Sequence, residues 1–546
     1  MSKMKTWVLT SLSKPLLVWC RQRLSSLSNV NDIQLVVPST TESLESICVA
    51  LQLNPLDGED NFVSMPGVHR IKCQELTLIL IRSTSIEKSL SELVQTPDVV
   101  LAEDISTLKV LRHLMGDKTV LVVQKTVSSV PPCLERVGES YRLRQRTAKE
   151  SPLRKKADKV LIVGGGLAGA MVAYELSQRG REVVLVDAGC VPGSGASALF
   201  AGLIHPHWQA SDSPLFQLTR AGFEAMVKCL KAFPDTFIST GVMDAASSSD
   251  EFKRWQEAWD VQQPLAMPES FAKLLDRATA SRRTGLPLSQ GGWFYEQAGL
   301  VYAGRLVRGL LQRSGATVLS HVKVRLERDD GYWVAINEHH QAVASAPACV
   351  VCSAMGSAEV LGLESFHFGL HPLYGRISLL RDTDLPTLKC ALTGDGYVAK
   401  TSDGFCAVGA TYEAGGGPQI SAWEAHEHNL QTFNKLMGDR PDVLVAGFYE
   451  GIRAVPLDRM PLAGRAMTAS ELQNLSFKGV PELKAIPRAD QLWMCAGFGS
   501  RGLTWGLSCA QVVAADICAE PSPLVASLAT KLDPARFLPK LLTKRH

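Results

Sequence analysis

The stretch "KVLIVGGGLAGAMVAYELSQRGREVVLVD", Lys159–Asp187, decides how the chain is read. An apolar strand runs straight into Gly164, Gly166 and Gly169 in GxGxxG spacing, a helical segment follows, and a second strand, "EVVLVD", ends on Asp187. Each part has a physical task in holding a dinucleotide. The first glycine makes the tight turn, the second lets backbone approach a pyrophosphate, and the third clears the helix–strand contact. The phosphates then rest on a helix N-terminus, where free N–H groups and the dipole favour anions. Asp187 stands 18 residues after Gly169, where an acid reaches ribose hydroxyls. Ala173 and Gly180 are expected to let the helix lie close on the sheet. The fingerprint itself leaves FAD and NAD both open.

Such an opening usually begins a chain, yet more than 150 residues precede this one. At 546 residues with 46% apolar content, two or three domains are expected. A net charge of +3 permits an anionic partner without demanding one. The 13 cysteines form no regular framework, which favours reduced thiols and a cytoplasmic setting. The CxxC of Cys349 and Cys352 lies in the apolar run "ACVVCSAMG", where a strand would send the two thiols to opposite faces, as a structural pair. The start, "MSKMKTWVLTSLSKPLLVWC", is broken by Lys14 and Pro15, and no membrane span is expected.

Three zones follow from composition. Residues 1–145 alternate apolar runs such as "IQLVV", "LTLILI" and "TVLVVQK" with helical stretches, an α/β pattern. Residues 146–158 belong to a basic linker, within "YRLRQRTAKESPLRKKADK", which carries eight Lys or Arg. Residues 159–546 form the larger unit. After its fingerprint comes a small-residue loop, "GSGASALFAGLIHPHW" (Gly193–Trp208), suited to a bulky ring cofactor. His205 and His207 in it read as structural, since no Cys or acid stands beside them to complete a metal site.

Further motifs continue in order: "QGGWFYEQAGLV" (290–301), "CVVCSAMGSAEVL" with Gly356 at its turn, and "DGYVAKTSDGFCAVGATYEAG" (395–415). "GIRAVPLDRMPLAG" (451–464) and "MCAGFGSRGLTWGLSCAQVVAADI" (494–517) complete the set. Together these resemble the amine-oxidising FAD family of D-amino acid and glycine oxidases. More closely, they resemble the flavin-dependent half of the MnmC family, bifunctional enzymes that finish modified wobble uridine in bacterial tRNA. The resemblance implies FAD, held by Gly164, Gly166, Gly169, Asp187, Ala196, Ser197, Gly356, Gly499, Ser500, Arg501, Gly502 and Leu503. It implies a doubly wound, Rossmann-like flavin domain (about 159–240, 290–365 and 450–520) with an inserted mixed-sheet α+β substrate domain (about 241–289 and 366–449). The helix start at Gly499–Gly502 would stabilise charge on the reduced ring, while Arg453 and Arg501 would hold a substrate carboxylate by guanidinium forks.

The implied reaction oxidises the glycine-like CH2–N bond of 5-carboxymethylaminomethyl-uridine in tRNA, releasing glyoxylate and leaving 5-aminomethyl-uridine, with O2 as electron acceptor. Two segments depart from the family. Its Arg-Gly-Gln turn is "YGR" here (Tyr374–Arg376), and the arginine and histidine flanking Asp458 are replaced by Leu457 and Arg459. His205, His371 and Tyr374 are possible bases, none singled out. The N-terminal zone resembles the family's methyltransferase half, but Ser11, Ser13 and Lys14 stand where its cofactor loop needs glycines, and "AEDISTLK" replaces its catalytic strand end. A degenerate methyltransferase-like α/β domain is therefore expected, kept as scaffold or RNA-docking surface. A small-amine oxidase of the glycine or sarcosine type is the main alternative. An RNA-binding protein with a decayed flavin site and a simple NAD dehydrogenase remain behind it.

Overall fold

The computed structural model describes residues 158–542 apart from 210, 263–268, 382–387, 438–442, 474 and 476–478. Before residue 158 it describes 5–9, 33–39, 44–51, 67–73, 77–82, 99–102, 120–123, 134–137 and 140–143, with residues 17, 20 and 53. The basic linker, the Ser11–Lys14 stretch and the "EDISTLK" segment lie outside these. The chain divides into two compact units at about residue 155. Among the described residues no helix is long and apolar enough to cross a membrane.

The N-terminal unit holds an eight-stranded sheet in the order 67–72, 77–82, 33–39, 5–9, 99–102, 120–123, 140–143, 134–137. Its central five strands are parallel, and chain order reverses between Lys5–Leu9 and Val99–Ala102. Near-continuous apolar runs are what parallel strands covered on both faces require. Val8, Leu9, Leu35–Val37, Leu78–Ile81 and Val100 are buried accordingly. The described part is a mostly parallel sheet whose strand order reverses at its centre, with helix Leu44–Leu51 following its second strand in sequence.

The larger unit opens with β1 (Lys159–Val163), α1 (Leu167–Ser177) and β2 (Glu182–Val186). They belong to a six-stranded sheet ordered 317–319, β2, β1, 348–351, 492–496, 462–465, in which only the last strand is antiparallel. The order reverses beside β1, where the carboxyl ends of β1 and 348–351 open a crevice, the usual ligand position in such sheets. Helix α3 (Gly502–Cys518) packs against α1 on one side and α2 (Pro214–Leu230) on the other, and helix Ala303–Ser314 also lies against α1. A Cβ at Gly222 would lie 2.4 Å from the Thr504 carbonyl oxygen, so α2 and α3 touch backbone to backbone. Gly180 differs from expectation. It has φ +68° and nothing near its missing Cβ, so it ends α1 through left-handed geometry and is not a packing glycine.

A nine-stranded mixed sheet forms the other layer. Its order is 273–275, 292–295, 242–245, 391–393, 397–400, 405–409, then β3 (Leu370–Arg381), with 413–414 and β4 (Val445–Pro456) also paired to β3. Gly292–Tyr295, expected in the flavin part, pairs with Val242–Ala245 and belongs to this sheet. Register partners share a face. One face therefore carries Asp244, Thr393, Tyr397, Gly409, Ile377 and Tyr449, and by alternation Gly451 and Arg453. The other carries Tyr374, Arg376, Ser378, Phe448, Glu450 and Ile452. Helix 422–437 covers part of that second face through Asn429, which donates to the Arg376 carbonyl oxygen at 3.1 Å and to Ser378 Oγ at 3.0 Å.

Candidate active site

Three glycines show why the fingerprint tolerates no side chain. Gly164 has φ +110°, and a Cβ there would meet the Cys352 carbonyl oxygen at 2.6 Å. At Gly169 it would lie 1.9 Å from the Gly164 carbonyl oxygen. The space over Gly166 is bounded by Ser197 Oγ, 3.0 Å from such a Cβ, and that same oxygen accepts from Leu167 N at 2.9 Å. Ser197 thus stands at the N-terminus of α1, where a phosphate would find free N–H groups. Asp187, just beyond β2, accepts from Gly165 N at 2.5 Å and Gly189 N at 2.9 Å, so its carboxylate is fixed at the strand end. Gly356 ends the 3-10 turn Ala354–Gly356, and Ser353 Oγ donates to the Val163 carbonyl oxygen at 2.9 Å. Gly499, with φ +55°, donates to the Ala454 carbonyl oxygen at 3.0 Å and ties the start of α3 to β4. The cradle and the helix start fit FAD.

The face of the nine-stranded sheet bearing Arg453 is the one turned to this cradle. Tyr449 donates from its hydroxyl to the Gly195 carbonyl oxygen, and Tyr397 to that of Ala201 at 3.0 Å. A Cβ at Gly451 would lie 3.1 Å from the Ala196 Cα. The loop containing Ala196 and Ser197 is therefore pressed onto β4. Leu503 lies over Gly202, where a Cβ would meet its Cδ1 at 2.4 Å, and Thr504 donates to the His205 carbonyl oxygen at 3.4 Å. Segment 202–208 consequently runs beside the start of α3, with Ser500 at its exposed tip.

Arg453 and Arg501 make no ion pair among the described residues. Arg453 Nη1 is buried without a hydrogen-bond partner, and its guanidinium lies 4.9 Å from the Tyr412 ring centroid. Arg501 lies 5.5 Å from the Trp505 ring centroid. Burial, then the Arg459 charge, lowers the Arg501 pKa. Unpaired guanidiniums in a desolvated place are what an incoming carboxylate meets most favourably. His205 and His207 pack edge to face at 4.4 Å. Burial, with Arg501 adding to it, pushes His205 down to about 4 and His207 to about 2, so both stay neutral at ordinary pH.

Two candidates from the sequence are reassigned. Tyr374 faces away from the cradle, its hydroxyl donating to Glu450 at 2.5 Å, so it is no base for chemistry there. Arg376 gives Nε and Nη2 to Glu450 at 3.0 and 2.8 Å and Nη2 also to Tyr374, a structural network in place of the family's turn. Asp458 is gripped by Arg536 at 2.7 and 2.8 Å, which explains an aspartate there without chemistry. His371 shares the Arg453 face, and its Nδ1 is buried without a partner. Cys349 and Cys352 are both buried, and burial raises both thiols, as suits an inert pair. Tyr397, Tyr412, Tyr449 and Asp244 were not singled out by sequence. Counting back along β4 from Arg453 in steps of two reaches Gly451 and then Tyr449.

Residues 159–516 match the family described as FAD dependent oxidoreductase. The chain is 30% identical over 519 residues to the tRNA 5-methylaminomethyl-2-thiouridine biosynthesis bifunctional protein MnmC of Burkholderia cenocepacia (strain HI2424), covering 89% of this chain and 80% of that one. This chain is an MnmC-type FAD-dependent oxidoreductase. Its enzyme class acts on C–N bonds, and FAD is its cofactor. An aligned span of 89% reaches roughly 100 residues into the part before Lys159, so the kinship includes the N-terminal unit. Among solved structures, glycine oxidase from Geobacillus kaustophilus shares the fold at TM-score 0.56 and 22% identity, covering 70% of this chain and 98% of that one. L-proline dehydrogenase from P. horikoshii does so at 0.57 and 17%, covering 71% and 99%. At these identities the likeness concerns fold alone.

Proposed function

We propose that this enzyme oxidises the C–N bond of 5-carboxymethylaminomethyl-uridine at the wobble position of tRNA, giving 5-aminomethyl-uridine and glyoxylate, and does not itself transfer a methyl group. The observation that carries the proposal is the pair of unpaired guanidiniums, Arg453 and Arg501, beside a glycine cradle in a chain whose relatives are named for tRNA uridine biosynthesis. In this proposal Gly164, Gly166, Gly169, Asp187, Ala196, Ser197 and Gly356 hold the cofactor along the crevice. Residues Gly499–Leu503 present the start of α3 to its ring.

FAD, when bound, supplies the two-electron acceptor, with O2 as the proposed final oxidant. The protein supplies orientation and a dry, positive environment. Arg453 and Arg501 fork the substrate carboxylate, which fixes the adjacent CH2–N bond in place. Tyr412 covers Arg453, and the neutral His205 and His207 add no competing charge. Loss of a C–H bond and its electron pair turns the CH2–N single bond into C=N. Water adds to that carbon, and cleavage leaves the primary amine on the uridine and an aldehyde on the two-carbon fragment. Such chemistry needs little acid–base assistance from side chains.

The N-terminal unit supports the second half of the proposal through its sequence. An open, mostly parallel sheet takes its ligand where the strand order reverses, here at Leu9 and Ala102, and in sequence those residues are followed by "TSLSKPL" and "EDISTLK", which hold no glycine. We infer a methyltransferase-like unit that has lost its cofactor loop and serves as scaffold or RNA-docking surface.

The test is the visible spectrum of the purified protein under anaerobic conditions, with tRNA bearing 5-carboxymethylaminomethyl-uridine, then with glycine and sarcosine. Bleaching of the flavin bands by the tRNA alone, with glyoxylate formed in equal amount, supports the proposal. Bleaching only by the free amines replaces it with a small-amine oxidase. Measurable S-adenosylmethionine binding would overturn the loss of methyl transfer.

A further inference from the structure

Arg459 follows β4 in the turn Leu457–Met460, and its surroundings are unusual for an arginine. The turn is fixed from several sides: Leu457 N donates to the Gly369 carbonyl oxygen at 2.9 Å, Arg459 N to that of Pro456 at 2.9 Å, and Met460 N to Asp458 Oδ1 at 3.0 Å. The adjacent acid, Asp458, is already neutralised by the two-pronged grip of Arg536. Arg459 itself is exposed, has φ +61°, and makes no ion pair among the described residues. The turn lies against the loop that leads into α3: a Cβ at Gly497 would lie 2.8 Å from Pro456 Cγ, and Gly499 N donates to the Ala454 carbonyl oxygen at 3.0 Å, so Arg459 stands on the same side of the site as Arg501, whose pKa its charge helps to lower.

Arg453 on β4, Arg459 in the turn that ends β4 and Arg501 at the start of α3 thus lie where β4 meets that helix start, and among the described residues no acid is paired with any of them. A glycine-type amine brings one carboxylate, which leaves the group positive. A nucleotide within RNA brings the same carboxylate together with backbone phosphates a few ångströms from its base. Arg453 and Arg501 are set back in the site and suit the carboxylate, whereas Arg459 stands at the surface, where a bulky polyanion can reach it. Guanidinium geometry matches phosphate as it does carboxylate.

We propose that Arg459 binds a backbone phosphate of the substrate RNA at the mouth of the carboxylate site, an assignment that rests on the tRNA function proposed above.

The experiment uses the full-length holoenzyme and its Arg459→Gln and Arg459→Lys variants, with flavin absorbance confirming intact cofactor binding in each. Two substrates are compared: an anticodon stem-loop carrying 5-carboxymethylaminomethyl-uridine, and the free modified nucleoside, which has the carboxylate but no phosphate. Arg459→Gln should lower kcat/KM for the stem-loop roughly five- to ten-fold at low salt and reduce the slope of log kcat/KM against log salt by about 1. Turnover of the nucleoside should stay unchanged, and Arg459→Lys should fall between. Equal loss on both substrates would place Arg459 in the carboxylate clamp and overturn the proposal, and so would no loss on either. A wild-type enzyme that oxidises the nucleoside but not the stem-loop overturns it as well. If wild type oxidises neither, the tRNA function fails first and takes this assignment with it.

Discussion

The two faces of the nine-stranded sheet hold the same residue types in opposite conditions. On the outer face Arg376 and Glu450 are register partners, and Arg376 commits Nε and Nη2 to that carboxylate. On the cradle face Arg453, one strand away, has a buried Nη1 without a partner. The acids differ in the same way. Hydrogen bonds from Tyr374 and then Arg376 hold Glu450 below its ordinary pKa, whereas burial pushes Asp244 up to about 7. The contrast teaches how to tell a structural charge from a waiting one. Buried charged groups are normally satisfied within the protein, so a face that leaves both signs unsatisfied has been shaped around something that arrives later.

The strongest way to break this comparison is Arg453→Gln. If Arg453 waits for a carboxylate, kcat/KM should fall about 100-fold, the scale of one lost charge-assisted fork, with thermal stability unchanged or slightly raised because an unsatisfied buried cation is gone. Steady-state kinetics and a melting curve on the same preparation check both. Loss of stability without the kinetic defect would make Arg453 a structural residue after all.

Arg376→Gln should give the converse. Removing it strands Glu450 and Tyr374, and a cost of about 2 kcal/mol is expected, below the usual loss for a fully buried pair because Glu450 is 43% exposed. The folded Glu450 pKa is depressed, so its contribution is present above its ordinary value near 4.5 and is lost as pH falls through the folded one. The stability gap between wild type and variant should therefore narrow in acid. Flavin content should not change. A colourless Arg376→Gln protein would show that the outer face supports the cofactor more directly than its contacts suggest.

These two arginines also show what a sequence discloses. The βαβ opening is fully legible, because strand alternation, glycine spacing and a terminal acid are local properties that the fold cannot override. Gly164 and Gly169 sit where a Cβ would strike backbone. Gly180 reads as a packing glycine and is a helix terminator, since both tasks favour the same residue and only φ separates them. The segment Gly292–Tyr295 reads as part of the flavin domain yet lies in the other layer, because its partner, Val242–Ala245, is some 50 residues away and pairing is not written in either strand alone. "YGR" and "GIR" each read as an arginine in a strand. Which is paired depends on the register of β3 against β4, a non-local fact. The N-terminal unit is the reverse case, where strands are plain from apolar runs while the residues that would reveal a ligand are loop residues.

The smallest expected effect concerns Asp244. Its strand sets it directly across from Trp293, on which Trp208 stacks at 4.7 Å, and among the described residues its carboxyl makes no hydrogen bond. Burial, with Glu251 as the second cause, raises its pKa from 3.8 to about 7, so the folded protein holds this proton more tightly than the unfolded chain does. Stability must then fall as pH rises from about 4 to about 7 and level off above, where both states are ionised. Asp244→Asn removes that penalty. The variant should melt higher than wild type at pH 8, by an amount on the order of 1–2 kcal/mol, and the advantage should shrink at pH 5. A gap that does not vary with pH would mean that the carboxyl finds a partner in the folded protein, and the cradle face would then leave only its cations unsatisfied. The site would be shaped for an anion alone. A gap that grows with pH means the face also keeps an acid that is still partly protonated near pH 7, able in that form to donate a hydrogen bond to a polar, uncharged part of the substrate.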